Sequence, residues 1–352
     1  MEGGVNYTRS TPRRHLRLGV VGCGWAGQQA VQAANLVPRT TVLAVADMDE
    51  ERRTHTVETH KVERTYRDYR ELLADGDIDA VYLATNPQVR TPMAIDSFRA
   101  GKHTLVQKPH ALRAADIRRI EREAVKSGRV LQFCFFMRHF RNYRKLRQQL
   151  IGGAIGQIYH ARVCVQYNED MTHSDRDYWL YAYGRMGGAL AQHASHELDL
   201  AWWCMGCPRP LWAFAAKHSP YCKYGGPEGP AEDWLSGIVG FDGGRTIQVE
   251  ATRMSHVNVG RVFQLFGKDG AVNGTAISRF HRGEYKTREV VKPVDRRRGS
   301  DVFFFYEIED FAKAVAGEIE PDVNADDAYV FTKMLQALYA SARRNRRVAI
   351  QV

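Results

Sequence analysis

The stretch from His15 to Gly27 closes a short apolar run with Gly22, Gly24 and Gly27 in the pattern G-x-G-x-x-G and leads into a segment of helical composition. In such a turn the glycines have separate tasks. Gly22 permits the tight turn, Gly24 lets a pyrophosphate come close to the backbone, and Gly27 lets the helix pack tightly on the strand. The amides at Trp25 and Ala26 would then face phosphate oxygens from the positive end of a helix dipole. A glycine triple by itself says little in a chain with 30 glycines. A second apolar run, Thr41 to Ala46, strengthens it, because it ends in Asp47, 20 residues beyond Gly27 (47 minus 27). There a dinucleotide fold places the carboxylate that holds the adenosine ribose hydroxyls. Asp47 repels a 2′-phosphate and is followed by Met48 rather than an arginine, so NAD is expected and NADP disfavoured. Arg52 and Arg53 stand near enough to oppose that preference.

These residues need a frame, and the first third of the chain supplies one. After Asp47 comes a polar helical segment, then Tyr66–Leu73 as a second short helix. Asp79–Thr85 reads as a buried strand, Pro92–Ala100 as a helix and His103–Val106 as a strand; a helix Ala114–Lys126 and a strand Val130–Phe136 follow. Strands separated by helices pair in parallel through right-handed crossovers, which makes a doubly wound sheet with its ligand crevice beyond the carboxyl ends of the strands. Near residue 140 the pattern changes. Gln157–Tyr167, Trp234–Phe241, Thr246–Met254 and Arg261–Phe266 are strand-like without crossover helices between them, and one large helix, His193–Met205, is inserted early. The expected fold is α/β: an N-terminal Rossmann domain over 15–138 after a disordered tail 1–14, then an α+β domain over 139–352 with a large, mainly antiparallel open sheet. Segments Phe304–Ala316 and Ala325–Arg344 read as helices packing back on the body. A sheet covered on one face by a helix leaves its other face to be covered, so association into a homodimer or homotetramer through the C-terminal sheet is expected.

Composition excludes several classes. A chain of 352 residues with 44% hydrophobic and 26% charged residues is ordinary for a two-domain soluble enzyme. No apolar run approaches the roughly 20 residues of a membrane span. The first 14 residues lack an apolar signal core, which points to the cytoplasm. The net charge of +10 comes from basic residues scattered along helical segments and interleaved with acids, such as Arg118 and Arg122 beside Glu121 and Glu123. That is a solvated face rather than a phosphate track, so no nucleic-acid partner is expected. Six cysteines without a secretory signal read as free thiols. Cys204 and Cys207 form a C-x-x-C without a second pair, so no metal site is expected and Gly206 reads as a helix end.

A resemblance now becomes specific. In order, the chain carries the glycine motif, Asp47, the strand and turn ending at Thr85-Asn86, Gln107-Lys108-Pro109 after a strand, Gly152 to Gln157, Gly187-Gly188, His196-Glu-Leu-Asp199 and Glu232-Asp233-Trp. This succession resembles the Gfo/Idh/MocA oxidoreductases, the glucose-fructose oxidoreductase and inositol dehydrogenase family, from about residue 16 to about 340. The resemblance implies NAD as cofactor, held by Gly22, Gly24, Trp25, Ala26, Gly27, Asp47, Thr85, Asn86, Gln107 and Lys108. It also implies that Lys108 faces the reacting carbinol, often beside a cis proline bond, where an ammonium stabilises alkoxide character. Gln107 stands where the family carries Glu, and keeps hydrogen-bonding capacity toward cofactor or substrate while removing a charge.

The resemblance assigns His196 as the proton acceptor, a task that suits an imidazole titrating near neutrality. Four residues earlier, where many sugar and inositol dehydrogenases carry Asp, stands Gln192, a candidate for a substrate hydroxyl. His193 is either a second substrate contact or a packing residue. Tyr167, Tyr183 and Arg185 belong to a run rich in aromatic and hydrogen-bonding groups that suits a polyol. In Asn86-Pro87-Gln-Val-Arg90 the family more often shows Pro-Asn and then His, and Arg90 contacts either the cofactor or nothing. The expected activity is hydride transfer between nicotinamide and a secondary alcohol of a sugar, glycoside or cyclitol, or the matching ketone. Two alternatives remain: a redox-neutral reaction through transient oxidation with elimination or epimerisation, and a dinucleotide-sensing regulator without catalysis.

Overall fold

A computed structural model describes residues 15–168, 188–222, 225–226, 229–257, 260–289 and 301–352. The expected tail 1–14, and Tyr183, Arg185 and Gly187, lie outside the described residues. The elements of the first part are β1 (Leu16–Val21), α1 (Trp25–Leu36), β2 (Thr40–Ala46), α2 (Glu50–His60), β3 (Arg64–Tyr66), α3 (Tyr69–Ala74), β4 (Ala80–Leu83), α4 (Pro87–Arg99), β5 (His103–Val106), α5 (Ala114–Ser127) and β6 (Leu131–Phe133). A 3₁₀ turn (Phe136–His139) and α6 (Arg141–Ile151) follow. The second part contains β7 (Ile158–Gln166), a π turn (Leu190–Ala194), α7 (Ser195–Cys204), β8 (Pro210–His218), β9 (Gly225–Gly226), β10 (Gly229–Pro230), β11 (Trp234–Phe241) and β12 (Thr246–Thr252). It continues with β13 (Arg261–Gly267), β14 (Gly270–Asn273), β15 (Ala276–His281), β16 (Glu284–Glu289), α8 (Asp301–Val315), α9 (Ala325–Arg344) and β17 (Val348–Ala349).

Contacts divide the chain into two units, residues 15–139 with 301–329, and residues 140–289 with 330–352. The first unit is a parallel six-stranded sheet in the order β3-β2-β1-β4-β5-β6. Strands β4 and β5 are buried along their whole length, as strands covered on both faces must be. The sequence placed everything from 139 onward in one domain, whereas contacts group 301–329 with the first unit. The reason is apolar: α8 carries Phe304, Phe305, Ile308 and Phe311, all buried, and packs on α1 and the 3₁₀ turn.

Two local expectations change. Helix α4 starts at Pro87, ahead of the expected Pro92, because the Asn86 Oδ1 accepts the Gln88 N–H at 3.0 Å and Pro87 occupies a first-turn position where no N–H is needed. The chain at Tyr66 is strand rather than helix: Arg64–Tyr66 pairs in parallel with β2, and α3 begins only after the Asp68 cap.

The second unit is a nine-stranded sheet ordered β16-β15-β14-β13-β7-β12-β11-β8-β17. It is antiparallel except where β7 runs parallel to β12. Every residue of α7 is buried, and the helix packs on β7, β12 and β13. Met205 to Cys207 close it, with Gly206 at φ +82° and the Cys207 N–H donating to the Trp202 carbonyl at 3.0 Å. All six cysteines are free. Among the described residues no helix is long and apolar enough to cross a membrane.

Phe304 is the aromatic hub of the first unit: 2% exposed, it meets Trp25, Tyr82 and Phe136 with ring centroids 6.2, 6.1 and 6.0 Å away. Phe304→Ala should cost about 3–5 kcal/mol, the usual range for emptying a buried aromatic site. Its neighbour Phe303, 36% exposed, should cost about 1 kcal/mol or less on the same change. Urea unfolding of both variants checks the difference, and equal losses would refute the packing described.

Candidate active site

The first unit places the glycine turn, Asp47, Thr85 and Lys108 at the carboxyl ends of neighbouring parallel strands. Two glycines are dictated by the chain itself. Gly22 has φ +100° and a Cβ there would lie 3.0 Å from the Thr85 nitrogen, while a Cβ on Gly27 would lie 1.7 Å from the Gly22 carbonyl oxygen. Gly24 is different. Among the described residues, a Cβ there would meet nothing closer than the Arg52 guanidinium at 3.9 Å. Gly24 is also the N-cap of α1 and supplies no side-chain acceptor, so the first amides of the helix, including those of Trp25 and Ala26, lack intrahelical acceptors. Open room over Gly24 beside uncapped amides is what a pyrophosphate fills, so these residues fit a dinucleotide.

Asp47 is oriented from two sides: its carboxylate accepts the Cys23 N–H at 2.6 Å and the Asp49 N–H at 2.9 Å. Each oxygen keeps a lone pair for a ribose hydroxyl. Arg53 donates to the Asp47 main-chain carbonyl at 2.6 Å, and Arg52 pairs with Asp49 at 3.4 Å. Both arginines therefore stand beside the Asp47 segment with partners of their own. The Cys23 thiol, buried beside Asp47, is pushed up to about 12 by desolvation and by that charge.

Lys108 follows β5 with a cis bond to Pro109. Two neighbours fix it. Gln107, 4% exposed, turns its carboxamide inward: Nε2 donates to the Tyr82 hydroxyl at 2.8 Å and Oε1 accepts the Lys108 N–H at 2.7 Å. Each end of the amide thus has a partner within the fold, which brackets the start of the Lys108 turn from inside. Arg90, 1% exposed, donates to the carbonyls of Thr85, Gln107 and Pro109. It ties the end of β4 to the chain on both sides of Lys108. Burial lowers its pKa to about 9, which leaves the guanidinium charged at neutral pH. Asn86, another expected cofactor contact, has its carboxamide oxygen engaged as the cap of α4, and the Thr85 hydroxyl donates to the Met93 sulfur at 3.4 Å.

The second unit gathers another set. Gln192 and His193 lie half-buried in the π turn, and His196, 7% exposed, lies in the first turn of α7. The Tyr167 ring, just past β7, stands 5.0 Å from the His193 ring. Arg261, at the start of β13, stacks over Tyr167 at 5.2 Å and donates both to the Tyr167 hydroxyl and to Glu197. Glu197, next to His196, is almost wholly buried. Sequence reading missed Arg261, although a buried acid in the helix that carries His196 signalled that a cation had to meet it.

Comparison with known proteins agrees with this architecture. Residues 16–135 match a family model described as the oxidoreductase family with an NAD-binding Rossmann fold. Residues 143–273 match the GFO/IDH/MocA C-terminal domain. The chain belongs to the Gfo/Idh/MocA oxidoreductase family. A myo-inositol 2-dehydrogenase from Thermotoga maritima is 24% identical over 342 residues, 96% of this chain and 99% of that one. An inositol 2-dehydrogenase from Salmonella typhimurium is 28% identical over 195 residues, 54% of each chain, so the match spans about half the length of that relative. Levoglucosan dehydrogenase solved with NADH superposes with a TM-score of 0.83 at 21% identity, over 96% of this chain and 99% of that one, a likeness of fold.

The glycines give a contrast. Gly24→Ala should leave the unfolding midpoint within about 1 °C, since no atom of the described residues crowds the new methyl, while NAD affinity falls about tenfold or more. Gly27→Ala should destabilise by about 1–3 kcal/mol, because its methyl overlaps the Gly22 carbonyl. Thermal unfolding and calorimetric NAD titration of both variants check this. A destabilised Gly24→Ala with unchanged affinity would show that the cradle lies elsewhere.

Proposed function

We propose that the protein is an NAD-dependent dehydrogenase, or ketoreductase in reverse, acting on a secondary alcohol of a sugar, glycoside or cyclitol in the cytoplasm. The observation that carries the reading is Lys108, fixed by the Gln107 and Arg90 brackets at the same sheet edge as the open glycine cradle. Relatives named inositol and levoglucosan dehydrogenases support the substrate class. NAD, when bound, supplies the nicotinamide that accepts hydride.

Oxidation breaks a C–H bond as hydride and an O–H bond as a proton. In this reading the Lys108 ammonium stabilises the negative charge that grows on the oxygen. His196 takes the hydroxyl proton, returning it when a ketone is reduced. Gln192 and His193 hold neighbouring hydroxyls, the amide as donor and acceptor at once. Tyr167 offers an aromatic face to the C–H surface of the ring, and Tyr183 and Arg185 complete the proposed contacts. The protein is proposed to form a homodimer or homotetramer through the second sheet. Phe214 and Ile238, paired across β8 and β11, are 43% and 38% exposed on it.

Lys108→Ala should lower turnover about 100-fold or more with NAD affinity nearly unchanged, since it removes charge stabilisation and leaves the phosphate cradle intact. With His196 as acceptor, oxidation declines as pH falls and the imidazole protonates. His196→Ala should abolish that limb with most of the activity. Gln192→Glu, which sets a negative charge one turn away, favours the imidazolium and should move the limb upward. Profiles of kcat/KM against pH decide the matter, and a limb that survives in His196→Ala would transfer the role to another group.

NAD should also bind more tightly than NADP, because the Asp47 carboxylate faces the 2′ position. Parallel calorimetric titrations test this, and equal affinities would mean that Arg52 or Arg53 overrides the acid.

A further inference from the structure

The helical segment bearing Gln192, His193 and His196 begins without a cap of its own. Neither Ala189, before the π turn, nor Ala194, before α7, has a side chain that can accept an amide hydrogen bond. The first amides are nonetheless bonded, from far away in sequence. Glu232 Oε1 accepts the Leu190 N–H at 3.0 Å and the Tyr339 hydroxyl at 2.9 Å, and the Tyr339 oxygen in turn accepts the Ala191 N–H at 3.2 Å. The Ala189 N–H donates to the Glu232 main-chain carbonyl at 3.0 Å. Gly188 makes room for this arrangement: it has φ +103°, and a Cβ there would lie 2.1 Å from Glu232 Oε2.

A local cap is not available: Ala189 is already helical at φ −60° and ψ −44°, and Gly188 before it has no room for a side chain. The chain instead keeps a fully buried carboxyl whose Oε2 has no hydrogen-bond partner among the described residues. Burial pushes Glu232 up to about 7, against the opposing pull of the Leu190 amide, the Tyr339 hydroxyl and Arg253. Lys217 also faces it. What the distant cap adds is location. Glu232 precedes β11 and Tyr339 lies on α9, so the π turn is tied to the sheet and to a second helix at once. π turns interrupt α-helices frequently at functional sites, where they set side chains at positions a regular helix does not offer.

We infer that Glu232 and Tyr339 are positioning residues: together they hold the π turn in place on the second sheet, and through it Gln192, His193 and His196. The consequence for turnover rests on the reading of His196 as proton acceptor. The holding of the turn does not.

Hydrogen exchange of the full chain, followed by mass spectrometry, separates the two. Tyr339→Phe and Glu232→Ala should speed exchange about tenfold across residues 188–196 while residues 15–139 are unchanged. They should lower kcat about 10- to 100-fold with little change in the KM for NAD. Glu232→Gln keeps an oxygen where Oε1 sits and resembles the neutral acid, so it should restore both readouts to within about threefold. If Glu232→Ala does not fold, Tyr339→Phe decides alone. Unchanged exchange over 188–196, or exchange that rises evenly across the whole second unit, overturns the inference. Faster exchange confined to 188–196, with turnover unaffected both there and in His196→Ala, upholds the holding of the turn and overturns the proton-acceptor reading.

Discussion

A helix begins with amide hydrogens that its own carbonyls cannot reach, and both sets of candidate residues are arranged around that constraint. In the first unit the demand is left open. Gly24 caps α1 without a side chain, and among the described residues no atom comes nearer to a Cβ placed there than the Arg52 guanidinium at 3.9 Å. In the second unit the same demand is met from a distance by Glu232 and Tyr339, which spares the positions next to Gln192 and His193 from carrying a cap. One helix start stays ready for a ligand's phosphates; the other is made rigid so that the side chains behind it keep their places.

A related economy surrounds Lys108. The end of a parallel strand has carbonyls that no neighbouring strand satisfies, and in the first unit a buried guanidinium takes three of them. A planar group with five donors in a fixed fork can span carbonyls on two strand ends with a set geometry that a lysine ammonium on its flexible stem does not impose. Gln107 completes the bracket from the other side. A glutamate there would accept the Lys108 amide equally well but could not donate to the Tyr82 hydroxyl, so the amide suits the interior in a way that the acid does not.

The legible parts of the chain were those whose signal is local. Short apolar runs announced β1, β4 and β5, and the spacing from Gly27 to Asp47 singled out Asp47 as the candidate ribose carboxylate. Trp234–Phe241 and Ala325–Arg344 were read at their observed bounds. What escaped was whatever depends on a partner remote in sequence. Arg90 was expected to contact the cofactor or nothing because its carbonyl partners reach as far as 19 residues away, and Tyr339 carried no signal because its partners lie 107 and 148 residues away. Helix α8 read correctly as a helix, but its aromatic face did not say which sheet it would cover. The start of α4 was missed because Pro92 was read as its first residue, whereas the Asn86 cap begins the helix at Pro87.

The burial of Cys23 has a chemical consequence. Alkylating agents and peroxides attack the thiolate, and a thiol held near 12 supplies almost none at neutral pH. Cys134 and Cys164 are shifted the same way by burial, Cys134 the further. A cysteine can therefore stand inside the glycine turn as a small apolar filler without making the nucleotide cradle a redox sensor, and oxidative stress that disables exposed-thiol enzymes should pass this turn by.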